Sequence, residues 1–284
     1  MKIRMKILIL GSEGQIGNHL KKYLANREFK VFEMDIVRSK NEDLRQNYNK
    51  NLISKIKKSD FIFFLAFDVG GSRYLKTYQN SFQFISNNIQ IMENTFRIIK
   101  KYKKPFIFAS SQMSNMSHSS YGLLKNLGEK YTNILDGIVV KLWNIYGIEK
   151  NLEKSHVITD FILMSLKSRK IKMLTDGIEK RDFLYADDCC AGLEKIMLNF
   201  NKFKKNKYPI DLASGKNTSI IKITKVIQKL FLKKKIIIKI QKSKNKDLVQ
   251  LDKKNKPNMF LKKYWKPTFS LEDGIEKIIN YYQK

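Results

Sequence analysis

Apolar residues in this chain gather in short unbroken runs, and between the runs they recur with a helical period. The runs Ile7-Leu8-Ile9-Leu10, Phe61-Ile62-Phe63-Phe64 and Phe106-Ile107-Phe108 show no alternation of polar and apolar positions, as expected of strands covered on both faces. Strands are therefore predicted over 6–10, 30–35, 60–66, 105–110 and 137–142, and helices over 16–25, 51–57, 81–101 and 121–132. Because strand and helix alternate, the expected fold class is α/β, a doubly wound parallel sheet with helices on both faces.

Beyond residue 150 the pattern changes. Amphipathic helices over 157–167, 188–200 and 219–232 are separated by basic turns, which predicts a smaller, mixed α/β lobe. The expected division is 1–150 for the sheet domain, with a returning segment near 182–200, and 151–284 mainly for the second lobe. The lysine-rich stretch 242–256 reads as a loop, and Ser270, following Trp265-Lys266-Pro267, as the N-cap of a closing helix.

The first strand runs directly into Gly11-Ser12-Glu13-Gly14-Gln15-Ile16-Gly17. Glycines between a strand and a helix start permit a tight turn and let the backbone approach a pyrophosphate, which the helix N-terminus holds through free N–H groups and its dipole. The second strand ends in Asp35, close to where a carboxylate meets the adenosine ribose hydroxyls of a dinucleotide. That charge repels a 2′-phosphate, so NAD is expected ahead of NADP, with Arg38 the feature favouring NADP. A carboxylate capping its own turn is the alternative reading of Asp35.

Tyr121 and Lys125 are four residues apart in a predicted helix and so share one face. An ammonium beside a phenol, together with a cationic nicotinamide, favours phenolate, which suits Tyr121 to move a hydroxyl proton. The pair follows a strand ending in Ser110-Ser111, where a hydroxyl at the sheet's carboxyl edge can hold the same substrate oxygen.

Taken with Leu65-Ala66 and Ala109-Ser110-Ser111, these motifs resemble the extended short-chain dehydrogenase/reductase family of nucleotide-sugar epimerases, dehydratases and reductases. The likeness continues in order through Asn144-Ile145-Tyr146-Gly147, Arg181-Asp182-Phe183-Leu184-Tyr185-Ala186-Asp187-Asp188 and Ser270-Leu271-Glu272-Asp273-Gly274. The resemblance implies a Rossmann fold in which Gly11, Gly14, Gln15, Ile16, Gly17, Asp35, Asp43, Leu44, Leu65 and Ala66 contact NAD beside Tyr121 and Lys125. It further implies a catalytic triad of Ser111, Tyr121 and Lys125, with Asn144 and Arg181 on a substrate diphosphate. A salt bridge to Asp182 or Asp187 is the competing role for Arg181. No metal is implied.

Two departures bear on the reaction. Only Gln112 to Ser120 separate Ser111 from Tyr121, a segment that is longer in relatives and lines the sugar pocket. Val69-Gly70-Gly71 and His156-Val157-Ile158 resemble the branch containing GDP-fucose synthases and GDP-mannose 3,5-epimerases, so a GDP-sugar is weakly preferred and His156 joins the substrate side as proton donor or phosphate ligand. In that branch a cysteine follows the paired serines; here Gln112 stands there and cannot act as a base. The simplest expectation is hydride transfer at a sugar carbon, C4 foremost, with epimerisation through a transient ketone close behind.

Composition changes this picture little. The formal charge of +30 invites a polyanion-binding reading, yet lysines are spread along the chain, as at Lys100 to Lys104 and Lys233 to Lys235, without a nucleic-acid module. No partner nucleic acid or membrane is expected, the apolar runs being too short to span a bilayer. A cytoplasmic location is expected, and the adjacent Cys189 and Cys190 read as buried thiols. The apolar faces of helices 81–101 and 121–132 predict a homodimer. The rival class is a catalytically inactive NAD-binding or polyanion-binding protein, against which the intact Ser111, Tyr121 and Lys125 weigh.

Overall fold

A computed structural model describes residues 5–206, 208–246 and 256–284. The first half comprises β1 (Lys6–Leu10), α1 (Gln15–Ala25), β2 (Lys30–Met34), α2 (Lys50–Lys58), β3 (Phe61–Phe64), α3 (Ser72–Tyr78), α4 (Phe82–Tyr102), β4 (Phe106–Ser111), α5 (Ser120–Ile134) and β5 (Ile138–Leu142). The remainder comprises β6 (Asn144–Tyr146), α6 (Val157–Ser168), β7 (Lys170–Lys172), β8 (Lys180–Tyr185), α7 (Ala186–Leu198), α8 (Phe200–Lys204), β9 (Ile210–Leu212), β10 (Asn217–Ser219), α9 (Ile220–Lys233), β11 (Lys239–Gln241) and α10 (Leu271–Tyr282). Every strand and helix expected in the first half is present, and α3 is added. The helix expected over 188–200 is broken at Asn199, which leaves helical dihedrals (φ −116°, ψ 30°) and starts α8. Of the stretch 242–256, residues 247–255 lie outside the described residues.

The main sheet is parallel, in the order β2-β1-β3-β4-β5-β9. Its strands are apolar without interruption because both faces are covered. Ile7, Ile9, Phe61, Phe63, Ile107 and Val140 enter one core with α1 and α7, while Leu8, Leu10, Ile62, Phe64, Phe106 and Phe108 enter the other with α2, α4 and α5. The chain leaves β1 toward β2 on one side and returns to β3 on the other, so a crevice opens beyond the carboxyl ends of β1 and β3.

The second lobe has its own core around Phe161, Ile162, Ile227, Phe231 and Ile278. It carries a three-stranded sheet, β10-β8-β6, and a two-stranded one, β11-β7. Ser270 is the N-cap of α10, where it forms a capping box with Asp273. The Asp188 carboxylate accepts the Thr268 and Phe269 amides and ties this C-terminal segment to α7. His19 of α1 joins the lobes: its Nδ1 meets Asp187 at 2.9 Å and its Nε2 accepts the Ile148 amide at 3.1 Å. Cys189 and Cys190 are buried free thiols, and burial pushes both well above the usual thiol pKa, out of the reactive range. Among the described residues no helix is long and apolar enough to cross a membrane.

Candidate active site

The crevice beyond β1 and β3 continues into a cleft of about 550 Å³ bordered by both lobes. One end is the glycine turn. Gly11 has φ +85°, and a Cβ on it would lie 2.7 Å from the Ala66 amide nitrogen; a Cβ on Gly17 would lie 2.0 Å from the Gly11 carbonyl oxygen. The chain's own packing therefore requires glycine at both positions. Gly14 differs: its nearest Cβ contact would be an ordinary 3.4 Å, so its missing side chain serves the open cleft. It is also the N-cap of α1, where no side chain caps the first-turn amides. Among the described residues, the buried Ser12 Oγ and Gln15 Nε2 lack hydrogen-bond partners, which fits a polar ligand on this turn.

Asp35 follows β2 and lines the cleft, but both its oxygens hold backbone: Oδ2 accepts from Glu13 N at 2.9 Å and Oδ1 from Val37 N at 3.0 Å. The turn-capping reading is the one these bonds show, and each carboxylate oxygen keeps a second lone pair. Arg38 is engaged with carboxylates, at 2.6 Å from Glu33 and 3.4 Å from Glu42. Asp43 and Leu44 line the same wall, Asp43 paired with Arg45 at 2.8 Å. Leu65 and Ala66 close it from the end of β3.

At mid-cleft lie Ser111, the last residue of β4, and Tyr121 and Lys125 on α5. The short segment between them folds as a 3-10 turn over Gln112–Asn115 that packs onto the first turn of α5. Gly122 makes this possible, because a Cβ there would sit 2.3 Å from the Met113 carbonyl oxygen. The Ser111 hydroxyl accepts the Met113 N–H at 3.2 Å and lines the cleft with Tyr121, whose phenol it favours in the ionised form. The Lys125 Nζ donates to the Ala109 carbonyl at 2.6 Å and stands 3.7 Å over the Phe67 ring, and Phe67 also meets Tyr121 edge to face.

In the protein alone burial governs the electrostatics of the pair: it pushes Tyr121 up to about 12, opposed by Ser111. Burial likewise pushes Lys125 down to about 7, opposed by the Glu129 charge. Desolvation dominates because both groups are enclosed by Phe67, Phe108 and Met113, and the ammonium is bonded to a carbonyl rather than to the phenol.

On the second-lobe side Asn144 and His156 line the cleft. Asn144 donates to the Asp182 carbonyl at 3.3 Å. Arg181 is not brought into the lining; its guanidinium donates to the Lys180 carbonyl at 2.8 Å, while Asp182 is held by the Ser214 and Gly215 amides and Asp187 by His19. His118 is exposed on the short segment.

Reading the sequence missed Phe67, Asp68 and Glu149, all in the cleft wall. Burial opposes the charge on Asp68, but hydrogen bonds from Lys154, Asn87 and Tyr74 outweigh it and hold its carboxyl below the usual range. No local signal marks these residues, since their partners come from other elements.

Comparison with known proteins agrees with this geometry. Over 97% of each chain the protein is 25% identical to a putative UDP-glucose 4-epimerase of Methanocaldococcus jannaschii. It is 26% identical to GDP-L-colitose synthase of Yersinia pseudotuberculosis over 98% of each. Among solved structures it resembles a GDP-6-OMe-4-keto-L-xylo-heptose reductase from C. jejuni, with a TM-score of 0.82, 18% identity, and 100% of this chain and 99% of that one covered. The profile of the NAD dependent epimerase/dehydratase family matches residues 7–210. With that match spanning most of the chain and a glycine turn, parallel sheet and cleft to support it, the chain belongs to the NAD-dependent epimerase/dehydratase family.

Proposed function

We propose that the protein is an NAD-dependent oxidoreductase or epimerase of a nucleotide-diphosphate sugar, moving hydride at a sugar carbon, C4 foremost, with Tyr121 as the acid–base group. The observation that carries this reading is that Ser111 and Tyr121, with Lys125 one helical turn on, line the same cleft that begins at the glycine turn. Gly11, Gly14, Gln15, Ile16 and Gly17 would hold the pyrophosphate of NAD, Asp35 its ribose, and Asp43, Leu44, Leu65 and Ala66 the surrounding walls. NAD, when bound, supplies the hydride acceptor and donor and a cationic ring near the phenol. Ser111 orients a sugar hydroxyl toward Tyr121, Tyr121 takes or returns its proton, and Lys125 stabilises the phenolate.

NAD is preferred over NADP because Arg38 already serves Glu33 and Glu42, leaving acidic groups where a 2′-phosphate would lie. On the substrate side we assign Asn144 and His156 to the diphosphate end; Arg181 joins them when its side chain turns from the Lys180 carbonyl to the cleft. The preference for a GDP-sugar rests on the Val69-Gly70-Gly71 and His156 likeness. The two-lobe division, the cytoplasmic setting and the homodimer belong to the same proposal.

The test is incubation with NAD and a panel of GDP-, UDP-, CDP- and dTDP-sugars, following NADH absorbance together with product NMR. NADH build-up identifies a dehydrogenase, and a new sugar isomer without it an epimerase. Absence of any product across the panel, with NAD still bound, would count against the proposal.

A further inference from the structure

The second lobe places one buried carboxylate in the cleft wall that the hydride chemistry does not use. Glu149, in the connection between β6 and α6, has 5% of its side chain exposed and lines the cleft beside His156. Both its oxygens bind that one residue: Oε2 accepts the His156 backbone N–H at 2.9 Å, and Oε1 meets the imidazole Nδ1 at 2.6 Å. An ionised carboxylate only accepts, so Nδ1 carries the hydrogen and Nε2 is the ring atom left for a ligand. Among the described residues Nε2 has no hydrogen-bond partner. Glu149 is itself clamped from α10, where the Tyr282 hydroxyl accepts its N–H at 3.0 Å and donates to its carbonyl at 2.6 Å.

We infer that Glu149 is a positioning residue, which fixes His156 so that its Nε2–H is presented as a hydrogen-bond donor to an anionic oxygen of the bound substrate. This rests on the nucleotide-sugar reading for the identity of the substrate, but not for the state of the histidine. The other charges around the ring are locally balanced: Asp160 on α6 is paired with Arg73 of α3 at 2.7 Å, and Lys154 with Asp68 at 2.7 Å. Burial disfavours the imidazolium, and the Glu149 hydrogen bond and charge outweigh it, so His156 is raised above the ordinary histidine value and Glu149 is held below that of a free carboxylate. Without the carboxylate the ring keeps only the Asp160 charge against its burial, so it holds its proton less strongly and loses its orientation.

The chain has three histidines, so His156→Gln assigns the imidazole signals in a nitrogen-detected NMR titration of the full chain. The expected result is a His156 midpoint above 6.5 in the wild type, and one about a pH unit or more lower in Glu149→Gln. A wild-type midpoint at or below 6.5 overturns the inference, even if the variant fails to fold, and so does a midpoint that Glu149→Gln leaves unmoved. Once a substrate is found, Glu149→Gln should lose about tenfold in kcat/KM between the two midpoints and recover as the pH falls below that of the variant, where His156 regains its proton. A loss equal at all pH values assigns Glu149 to packing and overturns the inference. The NMR arm needs no sugar, so its failure is distinct from failure of the functional proposal.

Discussion

At Tyr121 and Lys125 the competition is between burial and charge, and in the chain alone burial wins. Tyr121→Phe is expected to lower kcat by roughly 10²–10⁴-fold while NAD binding, read by calorimetry, is retained. The same burial has a consequence for stability. Lys125 falls from an ordinary 10.5 to about 7 on folding, so between these values the unfolded chain binds the extra proton and the contribution of this group rises with pH. Tyr121 begins to ionise in the unfolded chain only near 10, so the window from pH 7 to 9 belongs to Lys125. Denaturation midpoints should therefore rise from pH 7 to 9 in wild type relative to Lys125→Met; a constant difference between the two would show that Lys125 is not desolvated.

Among the elements, the short connection from β4 to α5 decides how the pair is presented. Gly122 lets the Met113 carbonyl approach α5 closely, and the Ser119 hydroxyl caps the helix by accepting from Gly122 N at 3.1 Å. Gly122→Ala should cost about 1–3 kcal/mol, because a backbone carbonyl must move, and should reduce kcat with it, since Tyr121 is the neighbouring residue. Thermal melts and kinetics on one preparation check both; an unchanged melting temperature would mean that the loop yields freely. At the other end of the cleft, Asp35 binds two chain amides. Asp35→Ser is therefore expected to weaken NAD by about tenfold or more and to narrow the gap to NADP, which paired titrations would read.

On the scale of the whole molecule, α4 and α5 leave Phe82, Ile89, Leu123, Leu127 and Ile134 exposed, Phe82 at 85% and Ile134 at 78%. Two helices with apolar outer faces are suited to an isologous four-helix contact. Light scattering at micromolar concentration should give the mass of two chains, and Leu127→Glu that of one; a wild-type monomer would remove the dimer from the proposal. The charge of +30 is spread along the chain as lysines, and a field of that sign speeds encounter with anionic ligands.

Much of this was legible in one dimension, for reasons that are local. Unbroken apolar runs require strands covered on both faces, Gly11 and Gly17 stand where turn and helix touch, and Tyr121 and Lys125 share a face because a helix repeats every 3.6 residues. Those constraints act within a few residues of their own position, and they are sufficient for the fold class, the glycine turn and the placing of Tyr121 and Lys125 on one helix face. What the sequence could not determine depends on residues brought together from distant segments. The Asp68–Lys154 pair and the Phe67–Lys125 contact join residues 86 and 58 positions apart; the absence of Arg181 from the cleft and the ionisation of Tyr121 and Lys125 likewise follow from packing. Hydrogen-bond geometry and desolvation depend on atoms within a few ångströms, whatever their separation along the chain, so these properties were decided only by the tertiary packing.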